Sequence, residues 1–163
     1  MVARLLARAG RRRLAYIGKK SRTFSDRSRH RGFCEELQRL GLTLHAKEAE
    51  ETTYEGGRTA ASKLLSSQEP PDAVFCFNDT MAFGALQAAR ELKLRVPEDV
   101  AVVGFDNQPM ASWHAFELTT VGYDPKALAQ LVTRKILEAL EGDEIVPNSY
   151  YLEPRLIVRR TAP

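Results

Sequence analysis

Residues 73–93 read AVFCFNDTMAFGALQAARELK, and two different periodicities meet inside them. Residues 73–77 form an unbroken apolar run, the pattern of a strand buried on both faces. From about Thr80 to Lys93 the apolar positions change to helical spacing, with Ala82, Ala85, Leu86, Ala89 and Leu92 as the inner stripe. A buried strand that passes at once into a helix is the unit from which parallel α/β sheets are built. Between the two stand Asn78 and Asp79, an amide beside a carboxylate. Asp79 reads as the helix cap, or both side chains line a pocket at the strand's carboxyl end.

The same unit recurs on either side. Residues 14–18 are a short apolar strand, followed by the polar loop KKSRTFSDRS and a helix over about 29–40. Ser28 is the expected N-cap, Gly41 the stop, and Phe33, Leu37 and Leu40 the apolar face. A weaker strand, 42–49, leads to a helix over about 55–65 that packs through Ala60, Ala61, Leu64 and Leu65. Pro70-Pro71 marks a turn before the central strand, and Pro97 breaks the chain before a fourth buried strand at 100–105. This βαβαβαβ alternation predicts an α/β fold: a parallel sheet with helices on both faces. The chain ends differently. A short strand-like piece at 118–121 precedes Asp124-Pro125, a helix start with proline at the first helical position. That helix runs to about Leu140 and stops at Gly142. YYLEPRLIVRR then reads as a strand, placed at a sheet edge by Pro154.

The chain of 163 residues, 44% apolar and 28% charged, suits one domain with a sizeable core. Its formal charge of +3 is misleading. Arg4, Arg8, Arg11, Arg12 and Arg13 crowd the first thirteen residues, which hold no acid, and the remaining 150 are slightly acidic. The body therefore carries no general electrostatic footprint for nucleic acid. MVARLLARAGRRR has the composition of a transit peptide, but reads better as the last turns of a helix stopped by Gly10. Cys34 and Cys76 fall in apolar-patterned segments, which points to reduced thiols and a cytoplasmic setting.

In open parallel sheets, ligands bind beyond the carboxyl ends of the strands. The first strand delivers the loop leading to Arg29, the third delivers Asn78 and Asp79, and the fourth delivers Asp106 and Asn107. A guanidinium fork, an amide and a carboxylate suit a small polyhydroxylated or heterocyclic ligand. Each has a plainer reading: Asp79 as cap, Asp106 and Asn107 as turn residues before Gln108-Pro109, Arg29 as a solvated helix start. Their convergence on one edge favours a site. The bias of Lys19, Lys20, Arg22, Arg27, Arg29 and Arg31 reads first as a solvated loop; if functional, it calls for an anionic ligand. The sequence contains no nucleophile elbow, Walker loop or dinucleotide fingerprint, and His30, His45 and His114 lack metal-ligand spacing. Binding without turnover is expected, with no cofactor and no metal.

RRRLAYIG, RHRGF, GGRTAASKLL, DAVFCFNDTMAFGAL, VPEDVAVVGFDN, LTTVGYDP and LIVRR occur in that order. The series resembles the carboxyl-terminal part of LacI/GalR-family bacterial transcriptional regulators. The resemblance implies one lobe of a periplasmic-binding-protein-like sensor. In that family a sugar or nucleobase effector binds between two lobes and alters operator affinity through an amino-terminal DNA-binding headpiece. It also implies that Arg29, Asn78 and Asp106 face the effector, that Asp79 and Asn107 support them, and that the lobe forms a homodimer. Phe83, off the inner helical stripe, is expected to project outward and join Trp113 and His114 at the dimer contact. The position of a stacking aromatic common in the family is here Thr52, so a platform there would have to come from Tyr54 or Phe24.

Mapped onto the chain, the resemblance makes residues 1–13 the end of a helix from the missing first lobe and 14–117 the second lobe. Residues 118–145 become a crossover segment and helix of the first lobe, and 146–163 the return strand. A periplasmic sugar-binding protein, which shares the fold, is the alternative.

Overall fold

The computed structural model describes residues 1–21, 23–141, 150 and 152–162. The expected helix stop at Gly142, the side chain of Arg22 and the start of the expected return segment lie outside these residues. The chain runs α1 (Val2–Arg8), β1 (Leu14–Lys19), α2 (Phe24–Arg39), β2 (Ala46–Glu50), α3 (Tyr54–Leu65), β3 (Ala73–Cys76), α4 (Asp79–Glu91) and β4 (Ala101–Phe105). A 3-10 turn (Pro109–Ser112), β5 (Thr119–Gly122), α5 (Pro125–Leu140) and β6 (Arg155–Ile157) follow. Six strands form a sheet in the order β2-β1-β3-β4-β5-β6. All neighbours are parallel except β5 and β6, which pair antiparallel. The sheet is thus mixed but mostly parallel, and β6 is the edge strand that Pro154 foretold.

The core follows from strand alternation. Tyr16 and Phe75 are aligned across β1 and β3 and meet Phe33 of α2 on one face, the Phe33 and Phe75 rings 5.2 Å apart. On α3 and α4 glycine sets the packing distance. A Cβ on Gly84 would lie 2.0 Å from the Tyr54 carbonyl oxygen, and one on Gly57 2.1 Å from that of Met81. The two helices therefore touch backbone to backbone, and Gly57 serves packing, not a phosphate cradle.

Three expectations are corrected, two of them about boundaries. α1 belongs to this sheet: Val2, Ala3 and Leu6 are buried in its core, and Arg4 pairs with Glu36 of α2 at 2.6 Å. An apolar face one helical turn long is buried where a matching surface is next to it. Residues 119–122 likewise are no part of another lobe, because β5 pairs with β4 (Val103 with Thr119, Phe105 with Val121) and is buried throughout. Phe83 does not project outward. It is 4% exposed, and its ring lies 4.5 Å from that of Phe116, because burying an aromatic ring outweighs its offset from the stripe. α5 differs from all of these: none of its residues is buried, and Leu128, Val132, Ile136, Leu137 and Leu140 are exposed.

Candidate ligand site

β1, β3 and β4 end on one edge, and the chain there collects Arg29, Phe77, Asn78, Phe105 and Asp106. Arg29, in the second turn of α2, reaches across the strand ends. Its guanidinium donates to the Phe77 carbonyl at 2.6 Å and lies 3.6 Å from the Phe105 ring centroid and 4.5 Å from that of Phe77. A weakly hydrated planar cation is well suited to such a sandwich. Burial lowers the Arg29 pKa while the charge of Asp106 raises it. Asp106 faces the same guanidinium at 3.5 Å, longer than the 2.7–2.9 Å typical of a strong charge-assisted hydrogen bond. Its carboxylate stays partly exposed, and desolvation raises its pKa against the pull of Arg29.

The backbone that aims Asp106 is strained. Asp106 has φ 109° and Asn107 φ 52°, conformations that cost L-residues on the order of 1–3 kcal/mol each. Four hydrogen bonds hold them. The Asp106 amide donates to Val121 at 2.7 Å, that of Asn107 to the Thr120 hydroxyl at 3.4 Å, and that of Gln108 to Asp79 at 2.7 Å. The Asn107 side-chain oxygen accepts from Arg159 at 2.9 Å.

The opening question about Asn78 and Asp79 resolves with the roles exchanged. Asn78 is the N-cap of α4, its oxygen accepting from the Met81 amide at 3.0 Å. Asp79 is fully buried and accepts from the Thr120 hydroxyl at 2.5 Å and from the Gln108 amide. It joins α4 to β5 and to the turn after β4. A Cβ on Gly104 would meet an Asp79 oxygen at 2.2 Å, so glycine in VVGFDN makes room for this carboxylate. Desolvation pushes the Asp79 pKa up to about 6, opposed by its hydrogen bonds to Thr120 and Gln108. Sequence reasoning placed the capping role one residue late because both residues are good caps, and only the backbone direction at the strand end chooses between them.

Thr52 stands half-buried in the turn before α3, and among the described residues no hydrogen bond joins it to Arg29 or Asp106. Tyr54 and Phe24, the first residues of α3 and α2, are both exposed. Within the basic loop Arg29 is matched by Asp106, and Arg31 approaches Glu35 at 3.7 Å. Trp113 is 55% exposed, and His114 beside it faces Glu117 at 3.7 Å. Phe77 and Phe105 were missed as partners of Arg29, although strand alternation puts Phe105 on the same face as Phe75. Arg159 carries no local signal. Among the described residues, no group of His, Cys, Asp or Glu is arranged to hold a metal. A hollow of about 550 Å³ runs along α5 and touches none of the site residues.

Residues 3–162 match the periplasmic binding protein-like domain family. The chain belongs to that family. It is 34% identical over 135 residues to the HTH-type transcriptional repressor PurR of Vibrio vulnificus, covering 82% of this chain and 40% of the relative. It is 40% identical over 134 residues to the HTH-type transcriptional regulator MalR of Streptomyces coelicolor, 78% of this chain and 38% of that one. Among solved structures it superposes on the Lac repressor dimer bound to operator and the anti-inducer ONPF. There the TM-score is 0.88 at 28% identity, over 99% of this chain and 48% of that one. The chain spans less than half the length of each of these proteins. The LacI/GalR resemblance carried by the seven motifs agrees with all three. Among the described residues no helix is long and apolar enough to cross a membrane.

Proposed function

We propose that this periplasmic binding protein-like domain is the effector-sensing part of a LacI/GalR-type transcriptional regulator. In this reading the carboxyl edge of the sheet binds a small polar effector, such as a sugar or nucleobase. Arg29 and Asp106 contact it, Asn78 presents its amide nitrogen to it, Thr52 borders it, and Asp79 and Asn107 hold the frame. The parent is a cytoplasmic homodimer whose contact includes Trp113 and His114, and it meets DNA through a headpiece outside this lobe. Phe83, being buried, supports that surface from beneath.

The observation that carries the reading is the Arg29–Asp106 pair. A guanidinium fixed by two aromatic rings faces a carboxylate held forward on a strained turn, a preorganised donor and acceptor for a ligand with hydroxyls or ring nitrogens. Among the described residues no histidine, cysteine or serine is bonded to either of them, which favours binding over catalysis. The relatives' names, a repressor and a regulator, favour this reading over a periplasmic sugar-binding protein.

The test is a calorimetric screen of monosaccharides, disaccharides and purine bases against this chain and its Asp106→Asn variant. The reading expects a compound that binds the unsubstituted chain and binds the variant at least ten-fold more weakly. A compound that binds both equally would place the site elsewhere.

A further inference from the structure

The turn that aims Asp106 is held from an unexpected direction. Arg159 lies 52 residues beyond Asn107, just past β6, on the segment that returns to the sheet after α5. Its side chain bridges two places: one guanidinium nitrogen donates to the Leu118 carbonyl at 2.7 Å, and another to the Asn107 side-chain oxygen at 2.9 Å. Its backbone is equally fixed. The Arg159 amide donates to the Thr119 hydroxyl at 2.8 Å, and that hydroxyl lies 2.9 Å from the Arg159 carbonyl. Two residues on, Thr161 donates to the Val102 carbonyl at 2.7 Å and accepts from the Thr119 amide at 2.9 Å. The return segment is thus sewn to β4 and β5, and Arg159 is the point where it reaches the ligand edge.

We propose that Arg159 is a positioning residue for the ligand-facing carboxylate. Through Asn107 it holds the strained turn that aims Asp106, and it ties the orientation of the site to the segment returning from α5. The inference rests on the reading of Asp106 as an effector contact.

The physical case is one of competing local and tertiary preferences. Asp106 at φ 109° lies outside the regions L-residues favour, and Asn107 at φ 52° is in the left-handed region, so the pair depends on external restraint to hold this shape. The Asn107 amide bond to Thr120 is long, at 3.4 Å, so the side-chain bond to a charged donor is the stronger of the restraints on that residue. Among the described residues, α5 buries none of its own against this sheet. The return segment is joined to the sheet through β6, which pairs with β5 at Thr120, Val121 and Gly122, and Arg159 just beyond it reaches Asn107. In this proposal a ligand at Asp106 and the return segment at Asn107 act on the same turn, which is what energetic coupling between them requires.

The test needs no ligand. Amide hydrogen exchange is measured by NMR on the whole chain for the parent, Arg159→Gln, Asn107→Gly and the double variant. Asn107→Gly keeps a residue at ease at positive φ while removing the acceptor. Each single variant is expected to speed exchange at Asn107 and Gln108 by about ten-fold, the loss of one hydrogen bond of ordinary strength, with the core amides of Val74 and Val103 unchanged. The double variant should exchange no faster at these positions than the faster single one, and Arg159→Lys should recover part of the protection. Parallel acceleration of core and turn amides in Arg159→Gln would reduce Arg159 to general support of the fold and overturn the proposal. So would additive effects of the two substitutions, or unchanged exchange at Asn107 and Gln108. An effector screen that fails leaves this measurement intact, so the two readings fail separately.

Discussion

Arg29 and Asp106, 77 residues apart in the chain, face each other at 3.5 Å across the carboxyl edge of the sheet. The guanidinium is the better buried of the two and has a second partner in the Phe77 carbonyl. The carboxylate has no shorter side-chain bond among the described residues and retains acceptor capacity toward the open side. Asp106→Ala should therefore weaken effector binding by roughly 1.5–3 kcal/mol, the scale of a hydrogen bond to a charged group, with little change in the stability of the free protein. Arg29→Ala should weaken binding comparably and also lower the melting temperature, since it empties the space between Phe77 and Phe105. Calorimetry showing parental affinity in both variants would remove these residues from the site.

Asp79 makes stability depend on pH. Its folded pKa of about 6 lies above the usual carboxylate value, so between about pH 4 and 6 the folded state holds a proton that the unfolded state has released. The stabilisation is complete below pH 4 and lost as pH rises through 6, a swing on the order of 3 kcal/mol. Asp79→Asn removes this component: its amide oxygen accepts from Gln108 while its nitrogen faces Thr120. Denaturant titrations at pH 4 and pH 7 should show the parent losing stability relative to the variant. A constant difference between the two proteins across that range contradicts the assignment.

Asn78 separates capping from recognition. Asn78→Ala should cost about 1 kcal/mol of stability through loss of the α4 cap. Asn78→Ser keeps a capping oxygen and should stay near parental stability, but it lacks the amide nitrogen. If that nitrogen meets the effector, the serine variant binds more weakly at unchanged melting temperature. Equal binding would leave Asn78 with the structural role alone.

Gly84 is a test of the helix crossing. A methyl group there collides with the Tyr54 carbonyl, and neither backbone can move without separating α3 from α4. Gly84→Ala should destabilise by about 1–3 kcal/mol, as overpacking does, although alanine is the better helix former. An unchanged unfolding midpoint would mean the helices are spaced more widely than described.

The exposed face of α5 predicts association. Each large apolar side chain left in water forfeits roughly 1.5–3 kcal/mol relative to burial, and contiguous patches of this kind mark contact surfaces. Light scattering should show the chain self-associating, and Val132→Gln with Ile136→Gln should reduce it. A monodisperse monomer with residues 126–140 strongly protected from exchange would show that α5 packs on this sheet.

The alternation of strands and helices, the identity of the inner stripes and the edge position of β6 were all legible in residue pattern, because periodicity of burial is a local property of the chain. So was the meeting of Arg29 with Asp106 at the sheet edge, since parallel strands necessarily present their carboxyl ends together. Pattern misled where a residue's partner lay far away. The apolar residues of α1 say that it buries a face, but Glu36 and the sheet decide which surface receives it. Phe83 sits off the stripe of α4, and only the distant Phe116 makes it a buried residue. Asn78 and Asp79 are chemically equal as caps, and Thr120 and Gln108 draw the second of them inward. Arg159 reaches Asn107 across a separation that no spacing rule spans. Local sequence determines which surfaces must be buried and which polar groups need partners. The tertiary structure alone selects the partners, because each long-range contact forms only if it offsets the entropy of bringing its ends together, and that balance is set by all the other contacts at once.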